Sequence, residues 1–270
     1  MKRNTKIILI LNIAIIILML GILIYQLFFA EVRNVKLITR AGTLFLVYFL
    51  AMTGIKKKQS PLDYIIYADE YSEIIGEAFK NDKPAYKKLM KGLTLYKRKK
   101  YDKALKVLDE VKRDCLYSDD FMSVLYFKAC CHKEKKELSE AEECLKEILE
   151  HNSENALVWE MYGEVLLDNE KWLASVEAYE KAVELNPESS SANCKLGGAY
   201  IKISEPEKAL GYTLKALEIE PSNVLAISFA AVAYKFLGDS ENAEKYCEMF
   251  GKYGGDVSTL RIIVNAIKAV

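Results

Sequence analysis

Residues 156–189, ALVWEMYGEVLLDNEKWLASVEAYEKAVELNPES, read as two apolar-striped helical stretches closed by Asn186-Pro187. Two small residues punctuate them, Gly163 and Ser175, and the same pair recurs along the chain. The series through Ser175 runs Ala104, Ala141, Ser175, Ala209 and Ala243, at intervals of 37, 34, 34 and 34. Twelve residues before each stand Gly92, Ala129, Gly163, Gly197 and Ala231. Seven residues after each come Val111, Ile148, Ala182, Ala216 and Phe250, and five further on Pro187 and Pro221 break two of the units. A 34-residue period is that of a helix-turn-helix solenoid. A small residue on each helix lets two backbones approach so that ridges enter grooves, and larger side chains three and four positions away fill the surrounding space. Such a pair cannot bury its apolar stripe alone, so successive pairs stack into a curved array with one concave face.

The signature residues Trp159, Tyr162, Gly163, Leu166, Trp172, Tyr179, Ala182 and Pro187 resemble the tetratricopeptide-repeat family, from which only Ser175 departs. Leu196, Gly197, Tyr200, Ala209, Ala216 and Pro221 repeat the resemblance one unit on, with Pro206 at a helix start, where proline is tolerated. The resemblance implies an all-α solenoid of about five repeats, 85–118, 122–155, 156–189, 190–223 and 224–257, followed by a C-terminal capping helix over 258–270. Repeats one, two and five lack the closing proline. Lys88 and Lys91 stand in repeat one where the family prefers apolar bulk.

The N-terminus is written for another solvent. Ile7 to Ala30 holds no charge, and its helix would be about 36 Å long, enough to cross a hydrocarbon core. No small-x-small cleavage site follows before the next apolar run, which argues against a signal peptide. That run, Ala41 to Ile55, reaches spanning length over about 37–55 if Leu37 and Ile38 enter and Arg40 snorkels; the alternative is an interfacial segment. The sequence therefore predicts a membrane anchor over 1–58, with one or two transmembrane helices. Lys2, Arg3 and Lys6 before the first run, and Lys56 to Lys58 after the second, place both ends on the cytoplasmic side. A composition rich in Ile, Lys, Tyr and Glu, with five prolines, reads as bacterial, so the localisation expected is a bacterial cell membrane with the repeats in the cytoplasm. Ser60, Pro61 and Asp63 start a juxtamembrane helix over 59–84, with Tyr64, Tyr67, Ala68, Tyr71, Ile74, Ile75 and Ala78 on one face; it either packs on repeat one or meets a partner.

Charge and chemistry exclude several functions. The first 58 residues hold nine basic side chains and one acid, leaving 29 basic and 37 acidic for the rest, a net of −8. Such a domain lacks the basic footprint of a nucleic-acid binder. Cys130, Cys131, His132, Cys144 and His151 share one repeat, but three consecutive helical residues point about 100° apart and cannot converge on one ion. No phosphate-binding loop, nucleophile elbow or metalloprotease helix occurs, so neither an enzyme, a metal site nor a cofactor is expected.

The resemblance implies partner binding in the concave groove, lined by the first helix of each repeat. The residues it places there are Tyr86, Leu89, Met90, Leu93, Tyr126, Phe127, Cys130, Glu160, Met161, Glu164, Lys195 and Phe229, with Leu225, Lys202, Lys235 and Phe236 beside them. Leu89, Leu93, Tyr126 and Leu157 occupy places where chaperone-tail clamps carry lysine and asparagine, which disfavours that role. The expected function is a membrane-anchored, non-catalytic scaffold or adaptor. Its expected partner is a protein or peptide segment, apolar with a basic flank drawn to Glu160 and Glu164. The alternative is a self-associating subunit of a membrane assembly, a homo-oligomer joined through the apolar stripe of Val257, Leu260, Ile263, Val264 and Ile267.

Overall fold

The computed structural model describes residues 83–111 and 119–267. The apolar runs at 7–30 and 37–55 and the juxtamembrane stripe lie outside the described residues. Among those described, no helix is long and apolar enough to cross a membrane, and there is no strand.

Eleven helices make up the described residues: α1 (Lys83–Lys97), α2 (Tyr101–Asp109), α3 (Asp119–Glu134), α4 (Leu138–His151), α5 (Ala156–Asp168), α6 (Trp172–Leu185), α7 (Ser190–Lys202), α8 (Pro206–Ile219), α9 (Val224–Phe236), α10 (Ser240–Lys252) and α11 (Val257–Ala266). Each helix packs on the next, and first helices also pack on one another, α1 on α3, α7 on α9 and α9 on α11. This is an all-helical tetratricopeptide-repeat solenoid.

The two kinds of helix start differently. α5, α7, α9 and α11 begin at Asn155, Ser189, Asn223 and Asp256, whose side chains accept from backbone N–H groups of the first turn. α2, α4, α6 and α8 have no side-chain cap, whereas α10 is capped by Asp239, which accepts from Asn242 N. The chain enters every second helix through a tight turn. Lys99, Lys136, Glu170, Ser204 and Gly238 all take positive φ, at one place in every repeat. In the turn before α6, Glu170 N donates to Leu167 O at 3.1 Å and Lys171 N to Leu166 O at 2.9 Å, satisfying carbonyls at the end of α5. The sequence reading did not foresee this turn, because glycine marks it in one repeat of five.

Close approach explains the small residues. A Cβ on Gly163 would lie 2.7 Å from Tyr179 Cε1, and one on Gly197 would lie 2.5 Å from Thr213 Cγ2 and 3.0 Å from Ala209 O. Ala104, Ala141, Ser175, Ala209 and Ala243, on the partner helices, are all buried. Around the α7–α8 contact, Tyr179, Leu196, Ala199, Tyr200, Ala209 and Ala233 form one buried cluster that joins three successive helix pairs. The core is thus continuous along the array, as stacking requires.

Candidate partner-binding face

Four places recur along one face of every first helix, at zero, four, seven and eleven residues from the first. They form one stripe because these offsets nearly complete whole helical turns. The stripe reads Tyr86, Met90, Leu93 and Lys97 on α1, and Ser123, Phe127, Cys130 and Glu134 on α3. On α5 it reads Leu157, Met161, Glu164 and Asp168; on α7, Ser191, Lys195, Gly198 and Lys202; on α9, Leu225, Phe229, Val232 and Phe236.

The stripe changes character along the array. On α1 and α3 its middle is closed: Met90, Leu93, Phe127 and Cys130 are buried, as are the neighbouring Leu89 and Tyr126, while Tyr86 is half-buried. Six of the twelve residues expected to meet a partner are therefore core residues in this structure. The physical reason is that an apolar side chain at a groove position gains free energy from any cover, and the sequence does not say which positions are covered.

From α3 to α7 a charge ladder runs across and beside the stripe. Glu164 on α5 accepts from Lys133 on α3 and from Lys195 on α7. Lys195 also donates to Glu160 Oε1 at 2.6 Å, and Ser191 Oγ donates to the same oxygen at 2.6 Å. Lys136 Nζ lies 3.1 Å from Asp168 Oδ2 at the ladder's edge. Burial acts to raise the Glu164 carboxyl pKa, but the ammoniums of Lys195 and Lys133 outweigh it and hold the group below the usual carboxylate range. Burial acts to lower the Lys195 ammonium, and Glu164 and Glu160 outweigh that too, raising it above the usual lysine range. The acidic pair expected to attract a basic flank is thus already neutralised within the chain. Glu160, Glu164 and Lys195 do come together, but as each other's partners. Lys133 and Ser191 were missed by the sequence reading, although Lys133, Glu164 and Lys195 stand at a steady 31 residues. That interval is one repeat less about one turn, which is the signal that would have found them.

On α9 the stripe opens. Phe229 is half-buried, packed over Gly198, where a Cβ would lie 2.6 Å from Phe229 Cε2. Val232 and Phe236 are half-buried, and Leu225 is 48% exposed. The opposite side of α9 is Ala226, Ile227, Ala230, Ala231 and Ala233, all fully buried. The helix is therefore apolar on two faces, one of which holds the solenoid together.

Burial pushes the Cys130 thiol up, Cys131 and Cys194 to about 12 and Cys144 to about 11, so these thiols stay protonated. Among the described residues no group of three or more His, Cys, Asp or Glu side chains could hold a metal ion.

Comparison with known proteins agrees with this architecture. Residues 123–155 and 163–224 match tetratricopeptide-repeat family models. A TPR repeat-containing protein of Methanocaldococcus jannaschii is 26% identical over 238 residues, which cover 83% of this chain and 40% of the relative. The chain thus spans less than half the length of that relative. Among solved structures, a crystal structure of MamA is similar with a TM-score of 0.54 at 21% identity, covering 60% of this chain and 93% of that one. A MamA from Desulfovibrio magneticus RS-1, residues 41 to the end, gives 0.57 at 18%, covering 63% and 95%. The chain carries tetratricopeptide repeats, and the likeness to MamA is one of fold.

Proposed function

We propose that this protein is a non-catalytic scaffold, anchored in a bacterial cell membrane by residues 1–58, whose solenoid binds a protein partner from the cytoplasmic side. The observation that carries the binding role is the α9 face. Leu225 is exposed, and Phe229, Val232 and Phe236 are only half-buried, on a helix whose equivalent places on α3 hold a buried Phe127 and Cys130. Apolar surface that a folded domain leaves partly open is a candidate surface for another molecule. The anchor rests on the uncharged run from Ile7 to Ala30 and the basic flanks around both apolar runs.

A photoreactive residue placed at Met161 or Leu225 in the full chain, in its native membrane, tests the binding role. Adducts to a discrete second protein are expected from those sites and not from Glu177, exposed on α6. Adducts equally strong from Glu177 would overturn a concave binding site. For the anchor, a reporter active only outside the cytoplasm is expected to be silent after Val270 and active at Asn34; the reverse pattern would overturn the orientation.

A second reading, self-association, is favoured by one feature. α11 buries Leu260 and Val264 but leaves Ile262 at 72% and Ile263 at 50% exposure at the end of the array. Photo-adducts of the chain to itself from Ile262, with none to other proteins, would favour it.

A further inference from the structure

The first repeat differs from the rest in the sign of its charge. Residues 83–111 hold ten Lys and Arg against three acids, a net of +7, while 119–267 hold fifteen against twenty-seven, a net of −12. Lys87, Lys91 and, just past the end of α1, Arg98 stand at zero, four and eleven, one line along the helix. That line runs into Lys99 and Lys100 in the turn and on to Lys103 of α2. Lys87 takes the place held in later repeats by Val124, Val158, Ala192 and Ala226, all buried, yet it is exposed, as are the other five. This end of the described array is an open basic edge.

The acids of this repeat are committed. Asp102 lies 2.9 Å from Lys135 and Asp109 2.8 Å from Lys128, both lysines of the next repeat, and Glu110 lies 3.6 Å from Lys88. On α3, which packs on α1 and α2, Glu134 accepts from the Tyr101 hydroxyl at 3.2 Å. In the turn after α3, Glu137 is held by Lys135 and His132. The exposed Glu140 and Glu143 stand on α4, which packs on α3 and α5. Among the described residues Lys87, Lys91, Lys99, Lys100 and Lys103 enter no ion pair. Even with the six acids of 59–82, residues 56–111 keep a net of +5. A terminal helix pair needs a polar outer side, but either sign would serve. At the places of Lys99 and Lys100 each later turn carries one acid, Glu137, Glu170, Glu205 or Asp239, so what sets this edge apart is its sign.

Building on the anchor reading above, we infer that the edge formed by Lys87, Lys91, Lys99, Lys100 and Lys103 docks on the anionic headgroups of a lipid bilayer. A cluster of roughly four to eight lysines and arginines close to an apolar span is the pattern that such a surface attracts. Nearness selects this occupant. Lys83 follows Ile55, the end of the second apolar run, by 28 residues, so an anchored chain holds the edge at high effective concentration beside a bilayer. A long nucleic acid would also meet the net −12 of the later repeats, which repels it, whereas a bilayer meets one end alone. The same negative charge is pushed away from an anionic surface, so docking directs the acidic repeats outward.

Acetylation of lysines in the full chain in nanodiscs, read site by site by mass spectrometry, tests this. In discs of phosphatidylcholine with phosphatidylglycerol, the five lysines are expected to react about threefold or more slowly than in phosphatidylcholine alone, and high salt should close the gap. Lys245 and Lys252, exposed on α10, should react alike in both. Lys99→Glu with Lys100→Glu should restore full reactivity at Lys87 and Lys91 with unchanged thermal melting, since Glu170 and Glu137 already hold those places in later repeats. Equal reactivity in the two discs, slowing that also reaches Lys245 and Lys252, or slowing that survives salt or the glutamates would overturn the inference. So would slowing by single-stranded RNA in phosphatidylcholine discs with none from phosphatidylglycerol, which would assign the edge to nucleic acid. A chain that stays with phosphatidylcholine discs and shows no slowing in anionic ones keeps its anchor and loses the docking. One held only by anionic discs, and released by salt, keeps the docking and loses the anchor; one held by neither loses both.

Discussion

Phe127 on α3 and Phe229 on α9 occupy the same place in their repeats, and the solenoid treats them oppositely. Phe127 is fully buried, whereas Phe229 lies half-open over Gly198. Between them, at the same place on α7, stands Lys195, locked to two glutamates of α5. One repeating backbone position thus serves as core, as strut and as open surface within about a hundred residues. A repeat period prescribes where a side chain points. What it meets depends on the neighbouring unit.

The contrast is sharpest in stability. Phe127→Ala should lower the unfolding free energy by about 3–5 kcal/mol, as full burial of an aromatic implies, while Phe229→Ala should lower it by less than half as much. Denaturant unfolding of the full chain in detergent reads both, and equal losses would erase the distinction between closed and open sectors. Gly197→Ala comes next, at about 1–3 kcal/mol, because its Cβ would meet the Ala209 carbonyl oxygen at 3.0 Å as well as Thr213. Its counterpart is Gly211→Ala on α8, where a Cβ would meet nothing within 4 Å; that change should stabilise by about 0.5–1 kcal/mol through the unfolded chain.

The ladder should yield a smaller effect with a pH signature. Glu164→Gln removes the shared carboxylate from Lys133 and Lys195 and should destabilise by about 1–2 kcal/mol at neutral pH. The folded carboxyl lies below its unfolded value of about 4.3. Its contribution is therefore complete above that value and lost as pH falls through the lowered folded pKa. The wild-type and Glu164→Gln stability curves should converge in acid, and parallel curves would show that the ladder does not tune Glu164. The smallest change expected is that of Ile262→Ser, near zero in stability because the side chain is 72% exposed. A measurable loss there would mean that something covers the end of the array.

The helical period, the small-residue contacts and the class of fold were legible in the sequence because each depends on short spacings within a unit. Gly163 must be small whatever its neighbours are, since its own partner helix crosses there. The turn residues were not legible. Lys99, Lys136, Glu170 and Ser204 hold positive φ without being glycine, so the turn is imposed by the two helices it joins and not by the residue inside it.

By itself the sequence determined a solenoid of stacked helix pairs, since a 34-residue recurrence of small and large residues has no other economical packing. It also named several of the side chains on the stripe of each first helix, though not Ser123, Ser191, Gly198 or Val232. Only the tertiary structure decided what becomes of them. It buried Met90, Leu93 and Phe127, neutralised Glu160 and Glu164 against Lys133 and Lys195, and left Leu225 and Phe229 facing water. Burial and ion pairing are relations between repeats, set by the rise and rotation from one unit to the next, and a list of residues contains neither.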